Sequence, residues 1–312
     1  MHTLHHRDGH HGWDRTLAPR LRIAPGETVE LRLADCFDGQ LGADATAADV
    51  AALDLGRANP LTGPLTVEGA RPGDALAVEV LALDVGARGW TTLIPGFGLL
   101  ADEFPDPHVV VSEVRDGVVE VGGFARVAAR PFLGTVGVAP AAPGPHSVIP
   151  PRNVGGNLDC RDVRAGATLL LPVEVPEALL SMGDPHAAQG DGEVCGTAVE
   201  TTGTVSIRVD VVRGRAPAAP QLELPRGAPP ASGPRLLTTG VGPDLHVGAR
   251  DATRAMIERL GEEHGLDPAD AYALCSVAAH LRILEVVDAP NWVVGLELDL
   301  DVLAGGPGRP GS

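Results

Sequence analysis

Lysine is absent from all 312 residues, so each of the 24 basic side chains is an arginine. Schiff-base chemistry, attachment of pyridoxal phosphate and the Walker-A phosphate loop all need a lysine amine, and the sequence therefore excludes them. Aromatic residues are also scarce, at 3%, whereas glycine (40) and proline (28) are abundant. This mixture favours many short strands joined by tight turns over a bundle of long helices.

Cysteine, long apolar runs and positive charge are in short supply too. The four cysteines form no Cys-x-x-Cys pair, which predicts reduced thiols in a cytoplasmic protein. The first residues lack the apolar run of a secretory signal peptide, and no run elsewhere is long enough to cross a membrane. The formal net charge of −17 argues against a nucleic-acid partner and fits a neutral or cationic small molecule as ligand.

Alternating polar and apolar residues predict strands along most of the chain. The two clearest strands, 28–33 and 74–84, each follow a Pro-Gly turn. Further strand candidates are 108–114, 118–121, 167–175, 204–212 and 292–300.

Helical spacing of apolar residues is clear only late in the chain. It predicts one helix over 248–264, which a glycine ends, and a second from Asp267 to about Leu281. In the second, an N-cap aspartate is followed by proline at the first helical position. A weaker helical signal lies at 45–53.

The composition also predicts how the chain is organised. Proline-rich stretches predict loops at 140–153 and 213–234. No break in charge or composition separates two units. We therefore expect one composite domain over residues 1–304 and a flexible tail over 305–312.

The densest group of polar side chains lies in two neighbouring segments, 155–163 and 183–196. Crowded carboxylates repel one another unless protons or a cation compensate. Imidazole with carboxylate oxygens is an ordinary ligand set for zinc, or for zinc paired with calcium. The alternative is a solvated surface turn, but the apolar strands predicted on both sides favour a cavity. The second segment carries most of the candidates: Asp184, His186, Gln189, Asp191 and Glu193.

Seven segments, spread in order over most of the chain, carry a family resemblance. They are ADCFDGQ (34–40), NPLTGPLTVEGARPGD (59–74), GFGLLADEF (96–104), the long segment from GGNLDCRDV to CGTAVE (155–200), DATRAMIE (251–258), DAYALCSVA (270–278) and VVDAPNWVV (286–294). Together they resemble the acetamidase/formamidase family. The absence of lysine removes the amidase designs that use a lysine, so a metal is the natural way to activate water.

The resemblance implies hydrolysis of short-chain linear amides, such as formamide and acetamide, to a carboxylate and ammonia. It implies a divalent metal at the site, zinc alone or zinc with calcium. It also implies a mainly β fold with α+β additions, a decorated and jelly-roll-like β-sandwich with two helices near the C-terminus, in a homo-oligomer. His280 stands where the family has an aspartate, and its effect stays open.

Within this hypothesis, three residues are predicted to hold the metal: Asp159, Asp184 and His186. Asp35 is a further ligand candidate, because it lies in one of the family-like segments. A metal held there lowers the pKa of a water molecule and polarises the substrate carbonyl.

Amide hydrolysis also needs a group that accepts a proton and later gives it to the leaving amine. Glu193 is the predicted general base and acid, with Asp191 as the alternative. Three side-chain amides are predicted to orient the substrate: Gln189, Asn157 and Gln40.

Other interpretations stay open at this point. Similar family members open lactam rings, so a lactam is an alternative substrate. A non-catalytic, metabolite-binding β-sandwich whose acidic loop holds structural calcium is the second alternative. Cys195 lies near His186 in sequence, but a buried, inert thiol is the favoured interpretation for it.

Overall fold

The computed structural model describes residues 2–225 and 233–303, and the tail predicted at 305–312 lies outside them. Over the described residues the chain forms eighteen strands and three α-helices. The strands are β1 (His2–His5), β2 (Leu21–Ile23), β3 (Thr28–Leu33), β4 (Leu61–Val67), β5 (Ala75–Val85), β6 (Arg88–Leu93), β7 (His108–Arg115), β8 (Val118–Val121), β9 (Ala125–Ala128), β10 (Phe132–Val138), β11 (Gly155–Asn157), β12 (Thr168–Pro172), β13 (Leu180–His186), β14 (Gly203–Val212), β15 (Gln221–Leu224), β16 (Arg235–Gly242), β17 (His280–Glu285) and β18 (Trp292–Asp299). The helices are α1 (Ala47–Ala51), α2 (Leu245–His264) and α3 (Pro268–Ala278).

The largest sheet has nine strands in the order β1-β3-β14-β5-β12-β15-β16-β18-β17. Its middle strands β5 and β14 are antiparallel and paired along their shared length. Alternation along a strand turns every second side chain to the same face. Val78, Val80, Val205, Ile207 and Val209 are buried in this way and form an apolar surface.

A smaller sheet of five strands, in the order β11-β10-β13-β4-β2, packs against that apolar surface. Its contribution to the shared core includes Leu65, Leu133, Val136, Leu180 and Met182. Every residue of β4, β10 and β13 is buried. Apolar side chains of these strands enter the core, while the polar side chain of Asp184 near the end of β13 lines a cavity. The architecture is therefore a β-sandwich whose smaller sheet carries the candidate site.

A third sheet, β6-β7-β8-β9, and the two late helices are added to this sandwich. The helices α2 and α3 pack on β16 and β18 around a separate apolar cluster that includes Met256 and Leu260. Asp244 caps α2 by accepting a hydrogen bond from the Val247 amide, and Gly265 ends it in the left-handed conformation. No helix within 2–225 and 233–303 has the length and apolar character needed to cross a membrane.

The predicted mainly β fold with two late helices is confirmed. The second of these helices ends at Ala278, earlier than predicted, because Ala279 is extended and β17 pairs with β18 from His280 onward. The loop predicted at 213–234 is wrong in part, because β15 lies within it, and residues 226–232 lie outside the described residues. The single composite domain stays a prediction.

Candidate active site

A cavity of about 320 Å³ opens beside the smaller sheet. Among the described residues, no arginine lines it, so its acidic side chains face one another without a basic partner in the wall. Three of these acids were predicted from sequence, whereas Glu200 and Asp288 were not. The carboxylates that line the cavity are Asp159, Asp184, Glu193, Glu200 and Asp288.

The end of β13 supplies two of the central side chains, Asp184 and His186. Glu200 is held next to them by main-chain pairing, since the Thr201 amide donates to the Pro185 carbonyl over 3.1 Å. The Nε2 atom of His186 lies 3.1 Å from an Asp184 oxygen and 2.9 Å from a Glu200 oxygen. All three side chains are almost fully buried.

Gln189 does not line the cavity, so its predicted role in orienting the substrate is corrected: it fixes the orientation of the His186 ring instead. Its side-chain nitrogen donates to the Asp159 carbonyl over 2.7 Å, so its oxygen is the atom that faces His186 Nδ1 at 2.9 Å. The Nδ1 atom must therefore carry the proton and donate it to Gln189. In the neutral ring this leaves the Nε2 lone pair directed at the two carboxylates.

The atoms that converge here make no hydrogen bond of ordinary geometry, although His186 Nε2 lies at ion-pair distance from the oxygens of Asp184 and Glu200. Within the described residues, no hydrogen bond satisfies either oxygen of Asp159, one oxygen each of Asp184 and Glu200, or Nε2 of His186. Buried polar atoms almost always find a partner, so a group of such atoms facing one another needs an explanation. Two buried sets also have ligand atoms within 4.8 Å of one another: Asp159, His186 and Glu193, and Cys36, Asp184 and Glu200. This donor chemistry fits a divalent cation.

The electrostatics of the cavity also favour an added positive charge. Burial and the nearby Asp184 raise the pKa of Asp159 to about 6, and burial raises the pKa of Glu200 to about 7. Burial followed by repulsion from Asp159 raises the pKa of Glu193 and of Asp288 well above their ordinary values. Glu200 and Asp184 in turn raise the pKa of His186 well above its ordinary value. The cluster therefore takes up protons near neutral pH, on the imidazole as well as on the acids, unless a cation replaces them.

Three of the acids stand on an unusual backbone. Asp159, Asp184 and Glu193 all have positive φ, of 41°, 58° and 45°. Side chains other than glycine seldom adopt this left-handed conformation, and the surrounding structure must hold it in place. Such strain gathers at functional sites, because there the direction of a side chain matters more than a relaxed backbone.

Asn157 links the two ends of the cluster. Its nitrogen donates to Asp288 over 2.6 Å, and its oxygen accepts from Asn59 over 3.0 Å and from Thr135. Asn59 and Thr135 also donate hydrogen bonds to the Asp184 carboxylate, over 3.4 and 3.3 Å. Asn157 lines the cavity as predicted, but its amide group is already used in positioning Asp288.

The alternative base, Asp191, does not face the cavity. Its carboxylate is held by Arg161 at 2.8 Å and by Arg282 at 2.9 Å, and these two arginines line a separate depression together with Gln189 and His280. Because both oxygens are engaged by guanidinium groups, Asp191 is not placed to accept a proton from water at the cluster. The assignment of Asp191 as a base is therefore corrected.

Asp35 and Gln40 are held within their own loop. The Asp35 carboxylate accepts from the amides of Phe37 and Gly39, at 3.0 and 3.2 Å. The Gln40 side chain donates to the Phe37 carbonyl and accepts from the Asp54 amide, at 2.8 and 2.9 Å. Neither residue lines the cavity. The ligand assignment of Asp35 and the substrate assignment of Gln40 are corrected, because these groups satisfy a turn.

The sequence did contain a weak signal for the residues that were missed. Glu200 closes the long family-like segment, and Asp288 lies in VVDAPNWVV. Cys36 lines the cavity and lies between Asp35 and Phe37 in ADCFDGQ. Cys195, by contrast, lines a different depression, and its thiol donates a hydrogen bond to the Thr197 carbonyl over 3.3 Å. Family resemblance marked these segments, but no spacing rule indicated which side chains in them point inward.

Replacing Gln189 with alanine is expected to loosen His186 and to lower metal affinity and kcat/KM by roughly 10- to 100-fold, the usual effect of losing a group that orients a ligand. Metal titration and steady-state kinetics measure both quantities. The matched control is Gln221→Ala, a buried glutamine on β15 that bonds Arg259 far from the cluster. Equal metal affinity in the two variants would contradict the positioning role.

Comparisons with known proteins identify the family of this chain. A model of the acetamidase/formamidase family matches residues 2–147 and 141–304. An acetamidase from Mycolicibacterium smegmatis is 29% identical over 271 residues, which cover 66% of this chain and 66% of that protein. A formamidase from Methylophilus methylotrophus is 28% identical over 261 residues, which cover 65% of this chain and 64% of that protein. The alignments therefore span slightly less than two thirds of the length of these relatives.

Similarity of structure extends further along the chain. The crystal structure of an acetamidase from Bacillus halodurans has a TM-score of 0.88 and 32% sequence identity to this chain, and the alignment covers 96% of this chain and 98% of the other. The sandwich, the added sheet and the late helices are thus features of a shared fold.

Proposed function

Because this chain belongs to the acetamidase/formamidase family, we propose that it hydrolyses the C–N bond of linear carboxylic amides. Water adds its oxygen to the carbonyl carbon, the C–N bond breaks, and a carboxylate and ammonia leave. The observation that carries this proposal is the group of buried, unpartnered ligand atoms on Asp159, Asp184, His186 and Glu200.

We propose that these four residues hold a divalent cation, with zinc as the first choice. An imidazole nitrogen is an ordinary ligand of zinc, whereas calcium takes oxygen ligands, so calcium suits only an additional position among the carboxylates. Bound there, the cation would acidify the attacking water and polarise the amide carbonyl. Gln189 accepts a hydrogen bond from Nδ1 and so fixes the ring orientation that directs Nε2 at the cluster. The carboxylates of Glu200 and Asp184 raise the pKa of His186 well above its ordinary value, so a cation would have to displace the proton of Nε2 when it binds.

Glu193 is the proposed proton carrier. Burial and the charge of Asp159 raise its pKa well above the ordinary value, and a cation in the cluster lowers it again. Glu193 can then accept a proton from the attacking water and give it to the nitrogen of the leaving amine. Asp288, held by Asn157, lies close enough to Asp159 to affect the same balance of charge.

Metal removal tests the proposal directly. Purified protein is assayed for ammonia release from formamide and acetamide, stripped with a chelator, and assayed again after zinc is restored. We expect activity to disappear on stripping and to return with zinc. We also expect the melting temperature to fall in the stripped protein, because a ligand that binds only the folded state stabilises it, by about 4 kcal/mol at 1,000 times its Kd.

The outcome also separates the enzyme from a calcium-binding module. A non-catalytic sandwich would lose stability on stripping but would release no ammonia in any state. Undiminished ammonia release from protein verified to be free of metal would contradict the metal-dependent mechanism. The cytoplasmic location and the homo-oligomer stay predictions, since the site geometry does not bear on them.

A further inference from the structure

The cavity that holds the acidic cluster has a large apolar lining. Five apolar side chains come from four separate segments of the chain, so they are brought together by the fold and not by one hydrophobic run. Pro95 and Gly96, which lie between Ile94 and Phe97, also line the cavity. The five are Phe37, Leu55, Ile94, Phe97 and Ile149.

This lining is too extensive for the smallest amides. Formamide has no acyl carbon beyond its carbonyl, and acetamide has a single methyl group. The cavity of about 320 Å³ lies at the lower end of the range, roughly 300–1,000 Å³, of pockets that bind drug-sized ligands. With liquid water at about 30 Å³ a molecule, ample space remains after a cation and the attacking water are placed.

The apolar character continues beyond the cavity. Phe97 also lines a neighbouring depression at the surface, together with Leu100, Phe104 and Val194. These three side chains are about half exposed, at 48%, 56% and 59%. Exposed apolar patches of this kind mark binding grooves. An apolar substrate would therefore meet apolar surface on both sides of Phe97.

From this lining we infer that the preferred substrates are primary amides whose acyl group is apolar and larger than acetyl, either branched aliphatic or aromatic. The inference rests on the proposed amidase function. The carboxamide faces Asp159 and Glu193, and the acyl group packs against Phe37, Ile94 and Phe97. Each buried methylene raises kcat/KM roughly fourfold, as long as the cavity has space for it.

The wild-type protein, loaded with zinc, provides the first test. The rate of ammonia release gives kcat/KM for formamide, acetamide, butyramide, 3-methylbutanamide and benzamide under identical conditions. We expect kcat/KM to rise along the aliphatic series and to be at least about tenfold higher for 3-methylbutanamide than for acetamide. A value that is flat or falls beyond acetamide overturns the inference and leaves the amidase function intact. Ammonia release from none of the five overturns the amidase function itself.

Two substitutions test whether this lining sets the preference. Ile94→Ser and Phe97→Ser are each expected to lower the ratio of kcat/KM for 3-methylbutanamide to that for acetamide at least about fivefold. Leu281→Ser is the matched control, because Leu281 is 58% exposed on β17 and does not line the cavity. An unchanged ratio in both cavity variants contradicts the assignment of the acyl wall. The wild-type series tests the substrate preference even if a variant fails to fold.

Discussion

Replacing His186 with alanine is expected to abolish metal binding and to lower kcat/KM for amide hydrolysis by more than about 10³-fold. The imidazole is the one nitrogen ligand of the proposed site, and it is buried between Asp184 and Glu200 at 3.1 and 2.9 Å. Without the imidazole, several carboxylates face one another in the cluster. Such a group of carboxylates binds protons more readily than it binds a cation. Stabilisation of charge by a metal is worth several kcal/mol of barrier, and about 4 kcal/mol corresponds to that rate loss.

Elemental analysis of the purified variant and its ammonia release provide the measurement. The control is His246→Ala, at an exposed position in the first turn of α2, which should retain metal content and rate. Full metal occupancy and normal turnover in the His186 variant would show that the cation, or the chemistry, lies elsewhere.

Gly134→Ala is also expected to lower activity strongly, although it adds only one methyl group. Gly134 lies on β10 opposite Asp184, between the paired residues Leu133↔Pro185 and Thr135↔Gly183. A β-carbon there would lie 2.6 Å from oxygens of both Asp159 and Asp184. Contacts this short force the side chains apart. We expect kcat/KM to fall by at least about 10²-fold, since a displacement of about 1 Å at a reacting centre costs that much.

Stability should change less than activity in this variant. Forcing an extra methyl into a packed interior costs about 1–3 kcal/mol, so the protein should still fold. Gly190→Ala is the matched control, because a β-carbon at Gly190 meets no atom within 4 Å and its backbone needs no positive φ. Chemical denaturation and kinetics on both variants separate loss of fold from loss of site. Normal activity in Gly134→Ala would contradict the cluster geometry.

Much of the fold was predictable because strands of the nine-stranded sheet and of the four-stranded sheet obey simple rules of pattern. The strand predicted at 28–33 coincides with β3, and those at 118–121 and 204–212 match β8 and β14 closely. Each of these strands has alternating or locally apolar residues that pack on one face. The start of α3 was also predictable, because an aspartate at the N-cap followed by proline at position 268 marks the beginning of a helix.

The smaller sheet was missed where local pattern and tertiary structure disagree. The sequence of β13 combines Gly183, Pro185 and three polar residues, which favours a turn by any local rule. It is a strand because β10 and β4 pair with it on both sides. The positive φ of Asp184 interrupts the ordinary alternation, so Met182 enters the core while Asp184 lines the cavity.

The candidate site was predicted in part for a related reason. Crowding of polar residues in sequence pointed to Asp184, His186 and Glu193, and the fold brings these side chains together with Asp159. The same crowding wrongly included Asp191, because sequence does not reveal that Arg161 and Arg282 lie on the other side of the loop. Glu200 and Asp288 are brought to the site by contacts between distant parts of the chain, and the spacing of neighbouring residues does not predict such contacts.

The hydrogen bonds around Asn157 join parts of the chain that are very distant in sequence. Asn59 lies 98 residues before it, and Asp288 lies 131 residues after it. Contacts of this range close long loops, so they form only at the cost of the chain entropy of those loops. The proposed cation pocket is therefore complete only in the closed sandwich, and a nascent or truncated polypeptide that lacks either distant segment would lack the pocket. Protein synthesised without the metal should therefore accumulate as folded but inactive apoprotein, which later addition of the metal activates.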